Sequence, residues 1–376
     1  MAITEIKKNE IYRIQVIKGY KYVNGIKKPE KTSNMFYGKK SEAKAKENEI
    51  KAKIKKGEYI DNTDKTYNDL IDKWYKERAL NLDPKTVEGY DCLLVDIRKE
   101  LGCYKTTELR TFLFDKFYNN LRNSDRHLSE YTLLHYYVLN NTILNQCVEW
   151  ELIEKNYNKK AQRPKPVKRE AKFYDEDDII KLLKCLDNEP LKYQVVIRLA
   201  LDSGCRRGEL TGLTWNDIDF VNSKITINKT TQCIKGKIVE KDKPKNNSSI
   251  RTIRIADVTM QLLKQYKQEQ QELKKKLGNE LQNSNKILIN NYGGLMHPDT
   301  PSKIFSKIQK KYNLKKLNFH GLRHTSASMY IDTKTQTDLI AKRLGHASSI
   351  TTANIYSHLF KNAENEALDR VSAKYY

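Results

Sequence analysis

The segment His320-Gly321-Leu322-Arg323-His324 restricts this chain more than any other stretch of its 376 residues. On a helix, positions i, i+3 and i+4 share one face, so a helical fold here gathers His320, Arg323 and His324 on a single surface. Leu344-Gly345-His346 follows, with Gly345 read as a helix C-cap behind the apolar Leu339, Ile340 and Leu344, and Tyr356 comes shortly after. Far upstream, Gly204-Cys205-Arg206-Arg207-Gly208-Glu209 supplies a second arginine. A fold that assembles these residues makes a phosphate-binding pocket containing a phenol. Taken singly, each has a plainer reading: a basic helix surface, a solvated histidine after a cap, one tyrosine among 23.

The chemistry of the combination is specific. A phenol with a pKa near 10 is ionised about once in a thousand at neutral pH, so a nucleophilic tyrosine must be activated. Arginines stabilise both the phenolate and the charge that grows on phosphate oxygens, because they stay charged and grip two oxygens at once. Arg206 and Arg323 are the expected clamps, with His320 able to reach the same phosphate as Arg323. Expelling a sugar alkoxide also needs a proton donor. Lys245, in the polar turn-rich stretch Lys241–Ser249, can supply it, as can Lys241 or Lys243. No paired acidic cluster suits two metal ions and no GxxxxGK[ST] phosphate loop is present, so the expectation is chemistry without a metal or other cofactor.

Composition narrows the partner. With 70 Lys and Arg against 47 Asp and Glu, the net charge of +23 points to a polyanion such as DNA as the natural partner, and RNA or a membrane surface would satisfy the charge too. No apolar run is long enough to span a bilayer, and the N-terminus lacks the pattern of a signal peptide. The six cysteines show no metal-binding or disulfide spacing, which fits free thiols in a reducing cytoplasm.

Three compositional blocks precede and contain the cluster. In residues 1–60 basic residues outnumber acidic ones by more than two to one. Here Ile11, Arg13 and Gln15 alternate with Tyr12, Ile14 and Val16 as on a strand, Ser33–Tyr37 reads as a second strand, and a helix runs from Ser41 to about Lys56, stopped by Gly57. A solvated charged arm would have the same composition. Residues 64–158 read as helical throughout: Leu70, Ile71, Trp74 and Tyr75 form a stripe, Asp83-Pro84 is an N-cap followed by proline at the first helical position, and Leu133 to Val148 marks a long helix. Residues 159–169, with two prolines among basic residues, read as a linker. Residues 170–376 begin with helices at Asp175–Leu186 and Leu191–Leu201. Strands are expected at 218–228, 230–239 and 250–255, followed by helices to the end. The expected fold is α+β and multidomain: a small sheet-plus-helix module, an all-helical domain, and a mainly helical domain with a small antiparallel sheet.

Ser203-Gly204-Cys205-Arg206-Arg207-Gly208-Glu209-Leu210 resembles the first-arginine box of the tyrosine recombinases, and Phe319-His320-Gly321-Leu322-Arg323-His324-Thr325 resembles their HxxRH box. Leu344-Gly345-His346, with Tyr356 in Ile355-Tyr356-Ser357-His358, resembles their LGH and nucleophile segment. Pro244-Lys245-Asn246 with Ser249 and Arg251 resembles their hairpin-lysine segment and selects Lys245 over its neighbours. Cys205 departs from the usual aliphatic residue without an expected cost.

The resemblance implies a site-specific recombinase of the integrase type, carried by a phage or an integrative conjugative element. Residues 1–60 would be an arm-type DNA-binding domain, 64–158 a core-binding domain, and 170–376 the catalytic domain. Tyr356 would form a 3′-phosphotyrosyl link and Lys245 would protonate the departing 5′-oxygen. Arg206, Arg323 and His346 would hold the phosphate, and His320 would assist proton transfer. Further implications are double-stranded core and arm DNA as partner, a homotetramer passing through a Holliday junction, an excisionase and a host DNA-bending protein, a bacterial cytoplasmic location, and a C-terminal tail from Ala363 to Tyr376 that docks on a neighbouring subunit. Two alternatives remain open on the residues: a type IB topoisomerase and a non-catalytic DNA-binding protein of the same fold.

Overall fold

A computed structural model of the chain describes all residues except 1–2, 8–9, 24–25, 56–64, 168–170, 242–249, 279–284, 357–371 and 376. Lys245, Gly57 and most of the expected C-terminal tail therefore lie outside the described residues. The chain divides into two compact units, Met1–Val167 and Lys168–Tyr376.

The first unit contains two separate cores. Strands β1 (Ile3–Lys7), β2 (Ile11–Val23) and β3 (Ile26–Tyr37) form an antiparallel sheet in that order, and helix α1 (Lys40–Lys55) packs on it. Side chains alternate across a strand, so Tyr12, Ile14 and Val16 point together onto Ala43 and Ile50, while Arg13 and Ile17 face outward. A register shift between Ile17 and Gly19 marks a bulge in the long β2/β3 ribbon.

The second core belongs to α2 (Tyr67–Glu77), α3 (Pro84–Leu101), α4 (Thr111–Arg122) and α5 (Glu130–Glu149). Asp83 caps α3 through the Lys85 N–H, with Pro84 in the first turn, and Thr66 and Asp69 form a reciprocal capping box on α2. Trp74, Tyr67, Phe114 and Phe117 fill the centre. The buried polar atoms are paired: the Tyr67 hydroxyl donates to Asn140 Oδ1 at 2.8 Å, and the Tyr118 hydroxyl to Asn158 Oδ1 at 2.5 Å. The expected linker at 159–169 starts against this core. Ala161 is buried in it and the Gln162 N–H donates to Asp115, so the backbone is anchored there before it runs on.

The second unit starts with α6 (Glu176–Leu186), α7 (Leu191–Ser203) and the short α8 (Arg207–Gly212). The strands differ from the sequence expectation. Residues 218–228 are two strands, β4 (Ile218–Asp219) and β5 (Lys224–Ile227), because Asp219 Oδ1 accepts from the Val221 and Asn222 N–H groups and Ser223 takes a positive φ of 53°. Residues 230–239 are likewise broken, into β6 (Thr230–Ile234) and β7 (Lys237–Lys241). Lys235 and Gly236, at φ 47° and 77°, make a two-residue hairpin turn between them. Strand β8 (Arg251–Arg254) pairs with β5, giving a three-stranded sheet β4-β5-β8 beside the separate β6-β7 ribbon. Helices α9 (Asp257–Leu277), α10 (Thr300–Lys311), α11 (Phe319–Asp332), α12 (Thr337–Leu344) and α13 (Ser349–Ile355) complete the unit. Its main core centres on α7, whose Val195, Val196, Ile197 and Leu199 are fully buried.

Candidate active site

Five of the six expected site residues, Arg206, His320, Arg323, His346 and Tyr356, converge at the edge of the second unit's core. Each is held by the end of a helix. Helix α7 stops at Gly204 in the left-handed conformation, φ 59°, and a Cβ there would lie 2.6 Å from Leu344 Cδ2, so glycine lets α12 pack close to the turn. The chain then reverses and Arg206 becomes the N-cap of α8. Its backbone N–H donates to Glu209 Oε2 at 2.9 Å and its guanidinium Nη1 to Glu209 Oε1 at 2.8 Å. The Arg206 side chain is 43% exposed; Nη1 is oriented by Glu209, and Nη2 donates to the Gly345 carbonyl at a long 3.5 Å.

Glu209 is buried and also pairs with buried Arg251 of β8, Nη2 to Oε2 at 2.9 Å. Burial pushes the Glu209 carboxyl up, but the charges and hydrogen bonds of Arg251 and Arg206 more than reverse this and hold it below the ordinary value. Arg251 Nε in turn donates to the Arg343 carbonyl on α12 at 2.7 Å. One buried guanidinium thus ties the Arg206 turn to the helix that ends at Gly345 and His346.

Helix α11 is capped by Asn318, whose side chain accepts from the Gly321 N–H, and it carries His320, Arg323 and His324. Arg323 is 3% exposed and its Nη1 donates to the Gly204 carbonyl at 2.7 Å. Its Nη2 is buried with no hydrogen-bond partner among the described residues. Burial and the nearby Arg206 charge pull its pKa down to about 10, so it remains a cation at neutral pH. His320 lies at the exposed edge; loss of solvent around the ring, then Arg323 and Arg206, lower its pKa.

Gly345 closes α12 in the left-handed region, φ 69°, as its sequence position predicts, and His346 follows with Nδ1 2.7 Å from the fully buried Thr352 Oγ1. Burial and the arginines Arg323, Arg206 and Arg251 bring His346 down to about 4, leaving it neutral near pH 7. Tyr356 sits at the C-cap of α13, only 1% exposed, in a small core of Ala327, Ile331, Ile340 and Leu344. Burial raises its phenol to about 12 against the opposing pull of Arg323. Its hydroxyl is 2.8 Å from His324 Nδ1. Three participants were not assigned roles from sequence: Glu209, Arg251 and His324. Glu209 and His324 stand inside the quoted boxes, but Arg251 and Tyr356, the partners that distinguish them, are distant in the chain.

No group of three or more His, Cys, Asp or Glu suited to a metal occurs among the described residues. The sequence profile of the phage integrase family matches residues 172–363, more than half of the chain and the whole of this site. The chain belongs to the phage integrase family. It is a tyrosine recombinase, an enzyme that transfers DNA strands at specific sites. It is 26% identical over 359 residues to a XerC-like tyrosine recombinase of Caldanaerobacter subterraneus subsp. tengcongensis, covering 90% of each chain. It is 28% identical over 308 residues to the ICEBs1 integrase of Bacillus subtilis, covering 80% of this chain and 75% of that one. Among solved structures it shares the fold of the Tn1549 transposon integrase in complex with transposon right-end DNA, with a TM-score of 0.69 at 19% identity, over 82% of this chain and 99% of the other.

Proposed function

We propose that this integrase cleaves DNA with Tyr356, forming a 3′-phosphotyrosyl bond, while Arg206 and Arg323 hold the scissile phosphate. The observation that carries the assignment is the buried, unpartnered Nη2 of Arg323 beside the half-exposed guanidinium of Arg206. A buried cation with an unsatisfied donor is costly, and a phosphate oxygen offers both the charge and the acceptor it lacks. His346, its ring oriented by the Nδ1 contact with Thr352 Oγ1, offers Nε2 to a second oxygen, and His320 at the exposed edge assists proton transfer. Lys245 protonates the departing 5′-oxygen; support for it is the chemical need for an acid and the course of the chain, since 242–249 connects β7 to β8, which starts at Arg251 in this site.

The bond energy stays in the phosphotyrosine, so a 5′-hydroxyl from a partner strand reverses the step without ATP. Exchange between two duplexes cuts four strands, one tyrosine each, which calls for a tetramer acting in two rounds through a Holliday junction. Residues 1–60 would bind arm-type DNA and 64–158 core DNA, with double-stranded DNA the partner that the +23 charge favours. An excisionase and a host DNA-bending protein would set the direction of recombination on a mobile element in a bacterial cytoplasm. Replacing Tyr356→Phe is expected to abolish the covalent protein–DNA adduct on denaturing gels and to leave DNA binding unchanged; an adduct that survives would move the nucleophile to another residue.

A further inference from the structure

The proton of an attacking tyrosine has to go somewhere, and among the described residues one side chain hydrogen-bonds the Tyr356 hydroxyl. That group is Nδ1 of His324, at 2.8 Å. The two rings meet edge-on, with centroids 5.7 Å apart and planes at 68°. Tyr356 is buried, with 1% of its surface exposed. His320, by contrast, is one helical turn away, its ring 4.9 Å from that of His324 and at the exposed edge.

We propose that His324 is a catalytic residue of this integrase, the direct proton acceptor for Tyr356 during cleavage and its donor during rejoining. The step balances as follows. The Oη–H bond of Tyr356 breaks and its proton passes to Nδ1 of His324. The Oη–P bond forms, the P–O5′ bond breaks, and the 5′-oxygen leaves with the electron pair and takes a proton from Lys245. In rejoining, the imidazolium returns the proton to the phenolate as it departs. His324 is available for this because burial, then His320 and Arg323, bring its pKa down to about 4 and keep it neutral at physiological pH. The charged and titratable groups around it are His320 and Arg323 on its own helix, His346 beyond α12 and Tyr356 at the end of α13. Arg323 and the histidines oppose its protonation, which makes the imidazolium short-lived and the return of the proton favourable. Residue type matters here: an amide can accept a hydrogen bond from the phenol, but it cannot take the proton.

The inference rests on Tyr356 as nucleophile, and the test separates the two. The probe is a duplex carrying the attachment site mapped beside the gene, with sulfur in the 5′-bridging position of the scissile phosphate, so that departure needs no acid. Single-turnover adduct formation is followed from pH 5.5 to 10 for the native chain, His324→Asn, His324→Gly and Tyr356→Phe. The expected result for His324→Asn is unchanged DNA binding with adduct formation about a hundredfold slower at pH 7, the size usual for loss of one general base. Its deficit should shrink as rising pH ionises the phenol. Added imidazole should restore part of the rate to His324→Gly, which covers the case in which the asparagine variant folds poorly. A native rate and pH profile in His324→Asn, or no rescue of a folded His324→Gly, overturns the role of His324. An adduct with Tyr356→Phe overturns the nucleophile instead.

Discussion

At the scale of single residues, the site depends on two arginines that differ in purpose. Arg206 leaves nearly half of its side chain open, whereas Arg251 is sealed and spends its donors on Glu209 and the Arg343 carbonyl. Removing one partner of a buried ion pair strands the other charge, and such losses run to about 3–5 kcal/mol. Arg251→Met is therefore expected to destabilise the second unit by that order in denaturant unfolding and to slow adduct formation through misplacement of Arg206 and His346. Glu209→Gln combined with Arg251→Met should cost less than the two single changes added together, since neither then leaves a stranded charge. Strict additivity in that cycle would show that the pair does not act as a unit.

At the scale of elements, helix ends do the positioning. Gly345 allows α12 to stop in the left-handed conformation while Arg251 passes beneath it; a Cβ at Gly345 would sit 2.7 Å from Arg251 Nη1. Gly345→Ala carries the left-handed penalty of about 1–2 kcal/mol and also displaces that guanidinium. The expected outcome is a thermal midpoint several degrees lower, at roughly 2–4 °C per kcal/mol for a unit of this size, together with slower cleavage at unchanged DNA affinity. A variant that cleaves normally would detach the cap from the chemistry. The cap itself was legible in sequence, because glycine after an apolar helical stripe has a local cause. So were the helix carrying His320 and Arg323, the Asp83-Pro84 start of α3 and the inward face Tyr12, Ile14 and Val16. The turns at Asp219–Ser223 and Lys235–Gly236 were hidden by strand-like alternation that continues across them, although Asp219 and Gly236 carry turn chemistry. The pairs Glu209 with Arg251 and His324 with Tyr356 had no local signal at all. Their geometry exists only once α8, β8, α11 and α13 are packed together.

At the scale of the whole molecule, charge is the property that reaches beyond any one site. Among the described residues no helix is long and apolar enough to cross a membrane, and the +23 net charge suits a polyanion. The sheet-plus-helix module at the N-terminus has its own small core around Tyr12, Ile14 and Ala43, separate from the helical core around Trp74. The arm-type DNA contact proposed for residues 1–60 would fall to the basic residues of this module. Each phosphate neutralised on duplex DNA contributes about 0.9 to the slope of log affinity against log salt. On DNA carrying both arm and core sites, deleting residues 1–60 should make that slope shallower by several units, while on core DNA alone the slope should hardly change. Cleavage of the core site should persist in the deletion, and integration of a two-site substrate should fail. Equal slopes for the two proteins on the longer DNA, or integration at the native rate, would remove the arm-binding role from this module and leave its charge to solubility alone.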